Sequence, residues 1–235
     1  MEHSQFAQLR LPCARSSRDC SLGGLRVYHA APLHYLPSIF ADGALYAKDI
    51  LHSRRIQPRV TAVKRDHMLG LGEYVHFSFN PVNPLLIDKL TRGYPHAVLV
   101  FDAATLLQLP GSAVLPYNTK AWRSKRHFPL VTGGDEAAAF VRNAQATCRT
   151  PSMELLVKYG ASLSNGLIET RFTTDIEREM FGDMATATGI NCPSPCVVVR
   201  PAPRYQPVTL WQVQQYYDAC AAAGAVIPPP DLPFD

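Results

Sequence analysis

Short apolar runs recur along this chain, none of them long enough to span a bilayer. LRVYHA (Leu25 to Ala30), EYVHFSF (Glu73 to Phe79), HAVLVF (His96 to Phe101), MELLV (Met153 to Val157), GLIETRF (Gly166 to Phe172) and CVVVR (Cys196 to Arg200) read as strands. EYVHFSF sets Val75, Phe77 and Phe79 against Tyr74, His76 and Ser78, the alternation of a half-buried strand, whereas HAVLVF is apolar almost throughout. Helical patterns fall between the runs. In PLHYLPSIFADG, Leu33, Leu36 and Phe40 mark one face, Pro37 suits the first turn and Gly43 ends the helix. AATLLQL, DEAAAFVRNAQATC and DIEREMFGDMA follow as helices, and LWQVQQYYDACAAA carries a capping box of Thr209 and Gln212 and stops at Gly224. Two stretches read otherwise: 46–66 as a long, partly helical connection, and AVLPYNTKAWRSKRHFPLVTGG as a loop. Mixed short strands with scattered helices give an α+β class. Residues 1–23 read as a poorly ordered leader, 24–225 as one domain and 226–235 as a Pro-rich tail.

The balance of the 235 residues, 47% hydrophobic and 18% charged, is that of a globular protein rather than a disordered one. The N-terminus lacks the apolar core of a signal peptide, so the expectation is a soluble, cytoplasmic protein. In that setting Cys13, Cys20, Cys148, Cys192, Cys196 and Cys220 read as free thiols. CPSPC has no second close Cys or His pair to complete a zinc site, and no metal is expected. The net charge of +4 permits an acidic partner without requiring one.

Phosphate-cradling glycine loops, nucleophile elbows and zinc-protease motifs are absent from the sequence. What remains is a set of unusual placements. Glu154 stands one residue into an apolar strand, sharing a face with Leu156 while Met153, Leu155 and Val157 share the other. A carboxylate there meets water, guards a sheet edge, or is placed for chemistry. His29 ends the first strand. Arg54, Arg55, Arg59, Lys64 and Arg65 form a cationic stretch with no acid before Asp66, which is either a solvated helix face or an anion site. In TKAWRSKRHF, Lys120, Arg123, Lys125 and Arg126 surround Trp122, with His127 and Phe128 following. Cations interleaved with rings suit single-stranded nucleic acid, charge tracking phosphate and rings stacking on bases; a surface loop anchored by its Trp is the alternative.

The order of these features resembles the DarT family of NAD-dependent DNA ADP-ribosyltransferase toxins. YHAAPLHYLPSIFADGALY is similar to the family's histidine-bearing strand and following NLPSILxxGL helix, and IQPR, with Arg59, to its IQxR setting. EYVHFSFNPVNPLL is similar to DYVPFYF…PRNPML, and MELLV to the AEFLV strand with the catalytic glutamate. The match runs from residue 25 to about 172. It departs where Ala30, Ala31 and Pro32 replace a Thr-His, and where Arg59-Val60 stands for a double arginine, which makes Arg54-Arg55 a rival placement.

The resemblance implies an ADP-ribosyltransferase fold: a split, mixed β-sheet with flanking helices that clamps NAD. It implies an enzyme of the glycosyltransferase class that passes ADP-ribose to a base of single-stranded DNA and releases nicotinamide, as a toxin neutralised by a macrodomain antitoxin. RNA or protein as acceptor, or a non-catalytic nucleic-acid-binding relative, are the alternatives. Glu154 would be the catalytic carboxylate and Arg59 the arginine that positions substrate, with Arg54 and Arg55 in reserve. His29, Ala30 and Ala31 would hold the nicotinamide amide, with Tyr46 and Tyr74 beside the cofactor. Lys120, Trp122, Arg123, Lys125, Arg126 and His127 would grip the nucleic acid.

Overall fold

The apolar run at His96 forms strand β4 (His96–Asp102), buried at every residue but the last. Such a strand needs a neighbour on each side and cover on each face. β1 (Arg26–Pro32) pairs with it antiparallel along its full length on one side, and β9 (Leu167–Phe172) antiparallel on the other. The computed structural model describes residues 22–54, 70–80, 95–115, 130–146 and 153–199. The remaining strands of the main sheet are β3 (Tyr74–Ser78), β5 (Ala113–Leu115), β6 (Val131–Thr132), β7 (Glu154–Lys158) and β10 (Cys196–Val198). The order of this 8-stranded sheet is β10-β9-β4-β1-β3-β7-β5-β6. β10 runs parallel to β9 and the other pairs are antiparallel, so the sheet is mixed. A separate 2-stranded ribbon joins β2 (Ala44–Tyr46) to β8 (Gly160–Ser162).

The sheet is divided in the middle. β1 and β3 register at a single residue pair, Tyr28 with Ser78. On either side of that seam the ladders are continuous: β1 with β4 from Arg26 to Pro32, and β3 with β7 from Tyr74 to Ser78.

The helices are α1 (Leu36–Asp42), α2 (Lys48–Ser53), α3 (Ala103–Leu107), α4 (Gly134–Ala146) and α5 (Asp175–Thr188). Of these, α1, α3, α4 and α5 cover one face of the sheet. Leu36 and Phe40, Leu106 and Leu107, Val141, and Met180 and Phe181 meet Val27, Leu99, Phe101, Phe77, Leu155 and Val157 in one core. Aromatic rings bind it together, with Phe77 5.2 Å from Phe101 and Phe40 5.3 Å from Phe181, both edge to face. The opposite face holds two small apolar clusters among the described residues, Val98 and Val100 on one side of the seam and Leu71, Ala113, Leu115 and Leu156 on the other.

Local chemistry sets the helix ends. Pro37 lies in the first turn of α1, and Gly43 ends it with φ 64°, a left-handed turn that glycine adopts without cost. Thr174 caps α5 in a full capping box, its hydroxyl accepting from the Glu177 N–H while the Glu177 carboxylate accepts from the Thr174 N–H. That carboxylate is wholly buried, and it also accepts from the Thr173 N–H at 3.0 Å, the Thr173 hydroxyl and the His96 N–H at 3.4 Å. Burial pushes its pKa up, against the pull of these donors.

The sequence-based outline holds for the longer elements and needs correction at the short ones. The stretch read as a loop from Ala113 begins with strand β5 and closes with β6, whose residues are recruited by pairing with β7 and with each other. The stretch from Tyr46 opens with β2 and α2 before the described residues stop at Arg54. The leader to residue 21, the helix from Leu210 and the Pro-rich tail lie outside the described residues. Cys192 and Cys196 are free thiols with sulfurs 3.3 Å apart, and burial together with the neighbouring Cys192 thiol pushes Cys196 up to about 12. Among the described residues no helix is long and apolar enough to cross a membrane, and no group of three His, Cys, Asp or Glu stands ready for a metal.

Candidate active site

Glu154 is the first residue of β7, between Ser78 of β3 and Leu115 of β5. It is neither at water nor on an edge: its strand is interior and the residue is 7% exposed. Successive residues alternate faces, so Met153, Leu155 and Val157 fill the helix-side core and Glu154 takes the other side with Leu156. A carboxylate in that position needs donors. His76 supplies one. It lies diagonally across the β3–β7 ladder, and its Nδ1–H reaches Glu154 Oε2 at 3.3 Å.

The other nitrogen-bearing contact is from the far side of the seam. His29 Nδ1–H donates to the carbonyl oxygen of His76 at 2.9 Å, with its ring tilted against Phe77 at 5.7 Å. The Phe79 N–H bonds Met153 O, so odd-numbered residues of β3 serve β7 and the peptide groups of Tyr74, His76 and Ser78 face β1. On β1, Leu25 O accepts from Ala103 N, so odd-numbered residues serve the β4 side and Ala30 opens toward the seam. Ala31 is committed to β4 and its methyl to the helix-side core; Ala30 packs instead with Val98 and Val100. The structure thus links His29, His76 and Glu154 in one series across the split, at the level where β1 and β3 part.

The rest of this face is polar beside the seam. Tyr28 stands next to Ser78 in register, and the Arg171 guanidinium lies 5.5 Å above its ring. Glu169 holds both Arg171, at 2.7 Å from Nε, and Arg26, at 3.1 Å. Tyr74 is half-buried and packs against the Leu71, Leu115 and Leu156 cluster. Tyr46 and Arg54 come together elsewhere, on β2 and after α2: the Arg54 guanidinium stacks 4.0 Å over the Tyr46 ring and lies 3.6 Å from Asp42. Arg55 and Arg59 lie outside the described residues, as do Lys120, Trp122, Arg123, Lys125, Arg126 and His127.

Sequence reasoning did not single out His76 or Arg171 as site residues. His76 carried a signal, since the alternation of EYVHFSF puts it on the face shared by Tyr74 and Ser78. Its partner was hidden, because only the register of β3 on β7 brings it to Glu154.

No family model and no curated protein matches this sequence. Solved structures do match in shape. DarT of Thermus sp. 2.9 in complex with NAD+ superposes with a TM-score of 0.55 at 16% identity, over 75% of this chain and 96% of that one. The same protein in complex with ADP-ribosylated ssDNA gives 0.52 at 15% identity, over 75% and 94%. DarTG of Thermosipho africanus in complex with ADP-ribose gives 0.55 at 14% identity, over 74% of this chain and 49% of that one. The described chain therefore has the ADP-ribosyltransferase type of fold found in the DarT structures, a mixed sheet split at its centre with helices packed on one face.

Proposed function

We propose that this chain is an NAD-dependent mono-ADP-ribosyltransferase that modifies a base of single-stranded DNA and releases nicotinamide. The observation that carries the reading is Glu154: a buried carboxylate beside the seam of a fold whose solved examples hold NAD+ and ADP-ribosylated ssDNA. The site suits NAD in two further respects. Beyond Tyr28 and Ser78 the facing peptide groups of β1 and β3 leave the ladder, so the Ala30 peptide group and the His76 N–H open where a carboxamide can pair with them. Tyr28 and Tyr74 flank that opening with rings.

The chemistry asks little more. The bond between ribose and nicotinamide breaks with its electron pair going to nicotinamide, and positive charge develops on the ribose as in glycoside cleavage. Glu154 stabilises that charge from a fixed position and orients the ribose hydroxyls. A base nitrogen then bonds to the anomeric carbon, and a proton leaves to water. Arg59, with Arg54 and Arg55 as further candidates, pairs with the diphosphate, which a guanidinium fork fits. His29 and Ala30 hold the amide end, and the segment from Lys120 to His127 grips the strand through charge and stacking. Single-stranded substrate is favoured because the target base must leave its stack to react.

The test is mass spectrometry of single-stranded DNA and RNA oligonucleotides incubated with the protein and NAD. The expected result is one ADP-ribose added to DNA, with fragmentation naming the base. Modification of RNA alone would move the acceptor, and no transfer to either by a folded protein would end the transferase reading. A toxin with a macrodomain antitoxin is the setting this activity implies. Cells should then tolerate Glu154→Ala better than the wild-type chain, and equal growth of the two would remove the toxin from the proposal.

A further inference from the structure

We infer that His76 is a positioning residue for Glu154, a role that rests on the transferase reading above. Three observations carry it. The His76 Nδ1–H is 3.3 Å from Glu154 Oε2, on the face of the sheet away from the helices. The Nε2 atom of the same ring is buried and has no hydrogen-bond partner among the described residues. The backbone of His76 is held from the other side of the seam by the His29 ring at 2.9 Å.

The geometry assigns the ring proton to Nδ1, since among the described residues only there does an acceptor wait for it. A ring kept with one buried, unpartnered nitrogen costs stability. The contact on the opposite nitrogen is the feature of this arrangement that serves the carboxylate. It fixes the Oε2 atom of Glu154 in the row where Glu154 pairs with Ser78 and Ser78 with Tyr28. His29 acts one step further out, fixing the strand from which His76 projects. The strand motif that EYVHFSF resembles has proline where His76 stands. The position accepts such a residue: the His76 N–H faces β1 rather than β7, so no bond of the β3–β7 ladder depends on it.

The test compares three chains by steady-state transfer kinetics. His76→Leu keeps bulk and removes the donor; His76→Asn returns an N–H near the place of Nδ1. A hydrogen bond to a charged group is worth a factor of about 10 to 100. His76→Leu should therefore lower kcat by about 10- to 100-fold, with KM for NAD changed far less, and His76→Asn should recover most of the loss. Melting of His76→Leu should change little, because loss of the donor to Glu154 is offset by removal of a buried unpaired nitrogen. An active wild type with an equally active His76→Leu overturns the inference, as does His76→Asn performing no better than His76→Leu. A second measurement stands apart from activity: long-range 1H–15N spectra of the histidine-labelled full chain. They should show His76 protonated at Nδ1, with its signals moving in Glu154→Gln. Protonation at Nε2 overturns the inference whether or not the wild type transfers ADP-ribose, whereas absence of transfer with the Nδ1–H form present defeats only the transferase reading.

Discussion

Glu154→Gln should slow transfer of ADP-ribose by about two to three orders of magnitude, the usual cost of losing one preorganised electrostatic group at a developing charge. Glutamine keeps the length and an acceptor oxygen for His76, so the strand and its neighbours have no reason to move. Only the negative charge is lost. Folding should be unaffected or slightly favoured, because a buried carboxylate is replaced by a neutral group of the same shape. Single-turnover transfer to an oligonucleotide measures the first effect and thermal melting the second. A variant within about threefold of wild type, where a stabilising charge is expected to supply a hundredfold or more, would strip Glu154 of its proposed role.

The second large effect falls on stability, far from the seam. Glu177→Ala removes the acceptor for the N–H groups of Thr173, Thr174 and His96 and for the Thr173 hydroxyl, all at the junction of β9, β4 and α5. The buried His96 N–H left without a partner costs about 1–3 kcal/mol and the lost cap about 1 kcal/mol, while the half-buried Thr173 and Thr174 donors can turn to water, so a total of about 2–4 kcal/mol is expected. Urea unfolding measures it, and a loss below about 1 kcal/mol would mean that these donors find other acceptors. The pH dependence has a definite sign. The folded-state pKa of Glu177 is raised by burial, so protonation favours the folded chain. Its contribution is fullest below the ordinary carboxylate value of 4.5 and is lost as pH rises through the higher folded value. Wild type should therefore gain stability relative to Glu177→Gln as pH is lowered from neutrality toward that range. A constant difference between the two would show that Glu177 titrates alike in the folded and unfolded chains.

How far the sequence carried these conclusions depended on element length. β3, β4, β7 and β9 are five to seven residues long, enough for alternation or a continuous apolar run to stand out. β2, β5, β6 and β8 have two or three residues, in which no period can be counted, and they exist because a longer strand offers them an edge. The consequence for the site was direct. With AVL (Ala113 to Leu115) read as loop, β7 has an open side, and Glu154 can be explained by water or by protection of an edge. With β5 paired there, Leu115 lies against Glu154 and the explanation fails. A register is equally invisible: nothing in EYVHFSF or MELLV says that Ser78 meets Glu154, and without that pairing His76 has no reason to be noticed. Residues whose type was odd for their surroundings were legible; residues made important by a neighbour were not.

The seam also sets where the molecule loosens first. Every other strand boundary of the central sheet is closed by two or more register pairs, whereas β1 and β3 are joined at Tyr28 and Ser78 alone. Local opening is cheapest where the fewest backbone bonds break. In hydrogen–deuterium exchange the amides of His76 and Ala30 should therefore trade early, while Leu99 and Leu155, inside the two halves, should wait for global unfolding. A ligand that bridges the halves would slow those two early amides without touching the late ones, so the seam supplies its own reporter of occupancy.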